Sequence, residues 1–326
     1  MLESSFTQCA FWKTYFTPRR YSYDKIPDQT GKIAIVTGAN TGLGYATMVG
    51  LAGHGAHVFL ACRSKDRALA AIERAKKEIK EKYPQAAAPK LEFLELDLND
   101  MNKCKQAANE FLDKGLPLHI LVNNSGIIMT PFALSADGIE QQFAVNHMGH
   151  FVFTMALLDR SKESQPSRIV VLSSFAHEGP TKGGIDFDTL NEEKKSDTVT
   201  RYGRSKLANV LFAKALARRL AETQVYVNIV HPGYVATEWA RQDSFGNFMT
   251  KIFETLSKVV AMTPEVGALT QLYVATSPEI VSKNIRGRYF IPIANEIQTS
   301  AYGQDEQLQE KLWSFTEELV RENVRA

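Results

Sequence analysis

The chain has 326 residues, 44% hydrophobic and 23% charged, and its 38 lysines and arginines against 36 aspartates and glutamates leave a formal net charge of +2. That balance, with no long basic block, argues against a nucleic-acid partner. Cys9, Cys62 and Cys104 are widely spaced with no C-x-x-C pair, and the best apolar run, 151 to 158, is too short to span a bilayer. Together with a start that lacks the charged-then-apolar order of a signal peptide, this predicts a cytoplasmic protein.

Residues 1–30 precede the first strand pattern and carry Phe6, Phe11, Trp12, Tyr15, Phe16, Tyr21 and Tyr23 with a few basic residues. Two readings stand side by side: an extension packed on its own domain or disordered, or a segment that docks on a membrane surface. From residue 31 to 326, short β-branched runs alternate with longer segments of helical period, which predicts one α/β domain. Strands are predicted at 32–37, 57–61, 91–96, 119–123, 168–173, 225–230 and 287–291. Helices are predicted at 42–53, 65–82, 101–114, 136–159, 201–222, 264–276 and 304–321. The expected architecture is a Rossmann-type doubly wound sheet of about seven parallel strands with helices on both faces. Residues 177–200 and 234–263 break the alternation after sheet strands, where inserted loops are natural walls for a substrate pocket.

After the first strand comes Gly38-Ala39-Asn40-Thr41-Gly42-Leu43-Gly44, followed at once by a helical segment. Glycines there permit a tight turn and close backbone approach, and the helix start offers N–H groups and a positive dipole end to a pyrophosphate. A bare glycine match is weak, but its place between strand and helix points to a dinucleotide. The second strand ends Cys62-Arg63-Ser64-Lys65. An NAD enzyme is expected to carry an acidic residue at this distance for the ribose 2′-hydroxyl, whereas arginine accommodates a 2′-phosphate. NADP(H) is therefore favoured over NAD(H), with Arg63, Ser64 and Lys65 as the contacts.

Tyr202 and Lys206 lie four residues apart, on one face if the segment is helical. A nearby cation favours phenolate and can lower a phenol near pKa 10 by about 1–3 units. Chance alone predicts about one such pair in a chain with 11 tyrosines, and Tyr21 with Lys25 forms another, ahead of the first strand, to which no function is assigned. Context separates Tyr202: Ser173-Ser174 closes a preceding strand, Asn146 opens a helical segment, and Pro232-Gly233 follows the next strand.

Together these features resemble the short-chain dehydrogenase/reductase family over residues 30 to about 320. Thr37 to Gly44, Asp97-Leu98, Asn123 to Gly126, Asn146 to Phe151, Ser173-Ser174, Tyr202 to Lys206 and Pro232-Gly233 stand in family order. The stretches 205–212 and 231–238 look most like retinol-dehydrogenase-like and WW-domain-oxidoreductase-like members, although no WW domain is present. The resemblance implies an alcohol/carbonyl oxidoreductase in which Tyr202 is general acid or base and Ser174 holds the substrate oxygen. It further implies that Lys206 depresses the Tyr202 pKa and binds the nicotinamide ribose, and that Asn146 helps place a water for the proton relay. Cofactor contacts carried over are Gly38, Asn40, Thr41, Gly42, Leu43, Gly44, Asp97, Leu98, Asn123, Ser125, Gly126, Pro232, Gly233, Val235 and Thr237. Ser125 departs from the alanine usual in the family.

His147 and His150 lack the pattern of a metal site, so they are read as structural and no metal is expected. Trp239, Phe245, Phe248, Met249 and Phe253 suggest a lipophilic alcohol or carbonyl substrate, with a packed helix as the competing reading. An NADP-binding regulator with little turnover is the alternative function. The complete Asn146, Ser174, Tyr202 and Lys206 set argues against it, because binding alone does not require proton-transfer residues. Oligomeric state is left open.

Overall fold

The β-branched runs form strands whose alternate residues face two separate apolar layers. β1 (Ile33–Thr37) sends Ile33 and Ile35 to one layer and Ala34 and Val36 to the other. β5 (Ser167–Leu172) splits Ile169 and Val171 from Val170 and Leu172 in the same way. A strand buried on both faces reads as a continuous apolar run, which is why β1 is buried along its whole length. The computed structural model describes residues 17–179, 184–235 and 261–324.

The remaining strands are β2 (His57–Cys62), β3 (Leu91–Glu95), β4 (Ile120–Asn123), β6 (Val225–Val230), β7 (Tyr289–Ile291) and β8 (Asn295–Ile297). Their order is β3-β2-β1-β4-β5-β6-β7-β8, with Ile35 of β1 opposite Phe59 on one side and Leu121 on the other. The seven expected parallel strands are there, and among the described residues an eighth, β8, is added antiparallel to β7. The connection Pro292-Ile293-Ala294 is far too short for a parallel crossover, which needs about a dozen residues, so the chain can only turn back.

One layer is covered by α1 (Gly42–Gly53), α2 (Lys65–Lys82) and α6 (Pro264–Thr276), the other by α3 (Met101–Leu112), α4 (Gly149–Ala156), α5 (Thr198–Arg219) and α7 (Glu306–Asn323). Buried Phe111, Phe143 and Phe153 in the second group contribute roughly 1.5–3 kcal/mol each. The helix predicted over 136–159 is corrected. Residues up to Glu140 form a turn closed by a Leu134–Glu140 bridge, and the helix begins only at Gln141. It then runs through a π-helical stretch, Ala144–Met148, before α4, and a separate short helix, Leu158–Glu163, follows.

Residues 17–30 pack on the body. Arg20 N donates to Ile293 O at 3.2 Å, Asn295 Nδ2 to Pro18 O at 2.9 Å, and the buried Tyr21 hydroxyl meets Thr276 Oγ1 at 2.8 Å. Tyr21 also donates to the Lys25 carbonyl, so this second Tyr/Lys pair pins the extension. Among the described residues, no helix is long and apolar enough to cross a membrane.

Candidate active site

The C-terminal ends of the parallel strands all open on one edge of the sheet, where an open α/β fold binds its ligands. At the end of β1, Gly38 N donates to Ala61 O of β2 at 2.8 Å, which fixes the start of the glycine loop beside Arg63. Gly38 (φ +67°) and Gly42 (φ +57°) occupy the left-handed region, and a Cβ on Gly44 would lie 2.4 Å from the Gly38 carbonyl oxygen. Thr41 precedes α1 with no side-chain cap hydrogen bond, so the start of the helix is uncapped. A glycine turn leading into an uncapped helix start fits a dinucleotide pyrophosphate. Leu43 touches the start of α6: a Cβ on Gly267 would be 2.7 Å from its Cδ2, 2.6 Å from Val235 Cγ2 and 3.3 Å from Pro232 O. The glycine loop and the 232–235 segment thus converge. Gly233 (φ +86°) makes the turn there, while Thr237 and the aromatic residues 239–253 lie outside the described residues.

Arg63 and Lys65 are exposed at the rim after β2, and Ser64 caps α2 by accepting from Arg67 N. Asp97 Oδ1 accepts from Asn99 N at 3.1 Å, closing a turn whose Leu98 carbonyl would lie 2.6 Å from a Cβ on Gly149. Asn123 points away from the loop, donating to Thr154 Oγ1 at 2.8 Å. Its neighbour Asn124, which the motif reading passed over, buttresses the loop: its Nδ2 donates to Thr37 O at 2.8 Å and lies 2.6 Å from where a Gly44 Cβ would stand. Ser125 is accommodated because position 38 is glycine, whose Cβ would sit 2.4 Å from the serine oxygen. Arg74 was also missed. It donates to the Asn40 carbonyl at 3.2 Å and stacks over Tyr45, and no local spacing signals that contact across a helix.

The second group of residues is buried. α5 starts where Asp197 accepts from Thr200 N at 2.7 Å, and its glycine, Gly203, lets the 175–178 segment approach, since a Cβ would meet Ala176 O at 2.8 Å. That contact sets Ser174 against Tyr202, close enough for its hydroxyl to pull the phenol's pKa down. Ser173 faces the other way and donates to the Lys206 carbonyl at 2.8 Å. Lys206 Nζ donates to Leu172 O at 3.4 Å and lies 5.8 Å from the centre of the Tyr202 ring. A Cβ on Gly126 would lie 3.3 Å from that Nζ and 3.0 Å from Asn146 Oδ1. Asn146, fully buried, donates through Nδ2 to Ile127 O (3.0 Å) and Ser205 Oγ (2.9 Å) and accepts from Ile127 N (2.8 Å). Ser205 in turn donates to the Tyr202 carbonyl at 2.7 Å, so it bridges the two helices.

Burial governs the charges here. It pushes the Tyr202 phenol up to about 12, against the pull of the Ser174 hydrogen bond, and brings the Lys206 ammonium down to about 8. The expectation that the Tyr202 phenol is depressed is thus corrected: the shift is upward, with burial its largest cause. Glu140, also unforeseen, accepts from Gln142 N and Phe143 N ahead of the π-helical stretch and lies 3.7 Å from buried Arg201. This pair ties the segment carrying Asn146 to the helix carrying Tyr202. His147 is a core residue bonded to Thr316 Oγ1 at 3.0 Å.

The short chain dehydrogenase family profile matches residues 32–245. The chain is 39% identical over 296 residues to human retinol dehydrogenase 14, covering 89% of this chain and 86% of that one. An uncharacterised oxidoreductase of Schizosaccharomyces pombe is 38% identical, with 94% and 89% covered. A solved structure of an uncharacterised protein from Mycobacterium paratuberculosis superposes with a TM-score of 0.71 at 28% identity, covering 92% of this chain and 97% of the other. The chain belongs to the short-chain dehydrogenase/reductase family, in its retinol-dehydrogenase-like branch, and is an NAD(P)-dependent oxidoreductase acting on the CH–OH group of a small-molecule alcohol or on the corresponding carbonyl.

Proposed function

We propose that the protein uses NADP(H) to interconvert a lipophilic alcohol and its aldehyde or ketone, with Tyr202 as the proton donor in reduction and acceptor in oxidation. The observation that carries this reading is the meeting of Ser174, Tyr202, Lys206 and Asn146 at the strand edge that also holds the glycine loop. The loop backbone from Gly38 through Asn40, Thr41, Gly42 and Leu43 to Gly44 would hold the pyrophosphate. Arg63 and Lys65, with Ser64 between them, would meet a 2′-phosphate, and Cys62 rather than a carboxylate ends β2. Pro232, Gly233, Val235 and Thr237 would line the nicotinamide side, and Asp97, Leu98, Asn123, Ser125 and Gly126 the adenosine side. When bound, this cofactor supplies or takes up the hydride.

Ser174 would hold the substrate oxygen against the Tyr202 hydroxyl. A phenol kept protonated by burial is ready to donate in reduction, and withdrawing that proton in oxidation requires the Lys206 charge to be set close by. Asn146 would hold the turn from 126 to 127 and help place a water that returns the proton. A lipophilic substrate is supported by Phe175, next to Ser174 and 37% exposed, by the aromatic residues of 239–253, and by relatives named retinol dehydrogenases. The aromatic-rich stretch 1–16 is the part of the extension that would rest on a membrane surface.

The test is NADPH oxidation by the purified full chain against aliphatic, retinoid, steroid and quinone carbonyls. Tyr202→Phe should lower turnover by at least about 100-fold while leaving NADPH binding, read by fluorescence, unchanged. Retained turnover in the variant refutes the assignment of Tyr202, and tight NADPH binding by wild type without turnover on any carbonyl favours the regulator instead.

A further inference from the structure

His150, fully enclosed at the start of α4, joins the two parts of the site by hydrogen bonds whose directions are forced. Its Nδ1 lies 3.1 Å from the Asn146 carbonyl oxygen, which can only accept, so Nδ1 carries the hydrogen. Its Nε2, 2.9 Å from Thr37 Oγ1, must then accept, and the threonine hydroxyl donates to it. The lone pairs of that hydroxyl accept from Asn124 N and Ser125 N, both at 2.9 Å, so the threonine hydroxyl and both ring nitrogens are matched. Burial keeps the ring neutral, outweighing the bond to the Asn146 carbonyl, which favours the charged form.

The side chain of Asn146 is committed to Ile127 and Ser205, and the group it has left to offer is its main-chain carbonyl. That carbonyl lies in the π-helical stretch, where Gly149 N reaches back five residues to Ala144 O and the regular ladder is interrupted. At that interruption the Asn146 carbonyl has a side-chain partner in His150. We propose that His150 is a positioning residue: its Nδ1–H sets the direction of the Asn146 carbonyl, and its Nε2 anchors the ring to Thr37 at the mouth of the glycine loop. The cofactor-binding strand and the proton-handling helix are thereby held in one register.

This inference rests on the catalytic reading of Asn146, Ser174, Tyr202 and Lys206, and three substitutions separate the two. Asparagine places an amide N–H near the position of Nδ1, glutamine near that of Nε2, and phenylalanine keeps the ring volume without either bond. His150→Gln and His150→Phe should each lower kcat by roughly tenfold, the worth of one lost hydrogen bond, while the Kd for NADPH stays within about twofold. His150→Asn should recover most of the loss. In the wild-type protein, histidine ¹⁵N spectra should show His150 as the Nδ1–H tautomer, a result that needs no variant to fold. An Nε2–H tautomer, wild-type kcat in folded His150→Gln, or equal loss in folded His150→Asn and His150→Phe overturns the proposal. If Tyr202→Phe turns over normally, the catalytic assignment fails and the proposal fails with it.

Discussion

At the glycine loop, room for a ligand comes from side chains that are missing; around Tyr202, the site is made of side chains that are buried and already bonded. Gly38, Gly42 and Gly44 put no side chain into the loop, and the charged residues beside them, Arg63 and Lys65, are exposed. Ser174, Tyr202, Lys206 and Asn146 are all less than a tenth exposed, and Ser205, Asn209 and Leu172 tie them to the helices and to β5. The first design is local and tolerates solvent. The second depends on several elements meeting at once, so its weak points lie in whatever disturbs burial.

Acid should break the buried half first. Burial holds His150 and His177 down to about 4 and His147 and His231 down to about 3, whereas unfolded histidine titrates near 6.5. These depressed values mean that the unfolded chain binds protons the native state refuses. The stability is fully present above pH 6.5 and is lost as the pH falls toward 4, by up to about 1.4 kcal/mol per histidine per pH unit. Tm measured from pH 8 to pH 4.5 should drop steeply below 6.5; a flat profile would mean that these histidines are not buried neutral.

In the loop, Gly44→Ala is expected to cost on the order of 3 kcal/mol of cofactor affinity, since the new methyl meets backbone rather than a movable side chain. Calorimetry with NADPH and NADH reads this, and near-normal affinity would show that the loop can open. Ser205→Ala, by contrast, leaves the Asn146 amide and the Tyr202 carbonyl short of a partner in the core. Chemical denaturation should show a loss of about 2 kcal/mol. The smallest effect belongs to the exposed rim. Arg63→Ala should leave Tm unchanged and weaken NADPH by about tenfold without changing NADH, and equal affinities in wild type would end the 2′-phosphate reading.

The difference between the halves also decides what could be read in advance. The glycine loop was legible because its function is encoded in consecutive residues and in the absence of side chains. The buttress of that loop, Asn124, was not legible because its partner Thr37 is distant in sequence. Tyr202 and Lys206 were legible as a spacing on one helix, but their protonation was not. The pull of Lys206 on a phenol is a local expectation, whereas desolvation depends on what α5, the 175–178 segment and β5 enclose together. Glu140, Arg201 and His150 read as ordinary residues until the chain brings their partners to them.

Taken alone, the residue order determined the alternation of strands and helices, the two-faced burial of the sheet, the glycine loop and the family, because periodicity and steric freedom are properties of neighbouring residues. Only the tertiary structure decided the direction of Asn123, the pairing of Asn146 with Ser205, and the hydrogen-bond chain from Thr37 through His150. Each of these depends on which groups remain unpaired once the core has closed, and that is settled by contacts between residues tens to hundreds of positions apart.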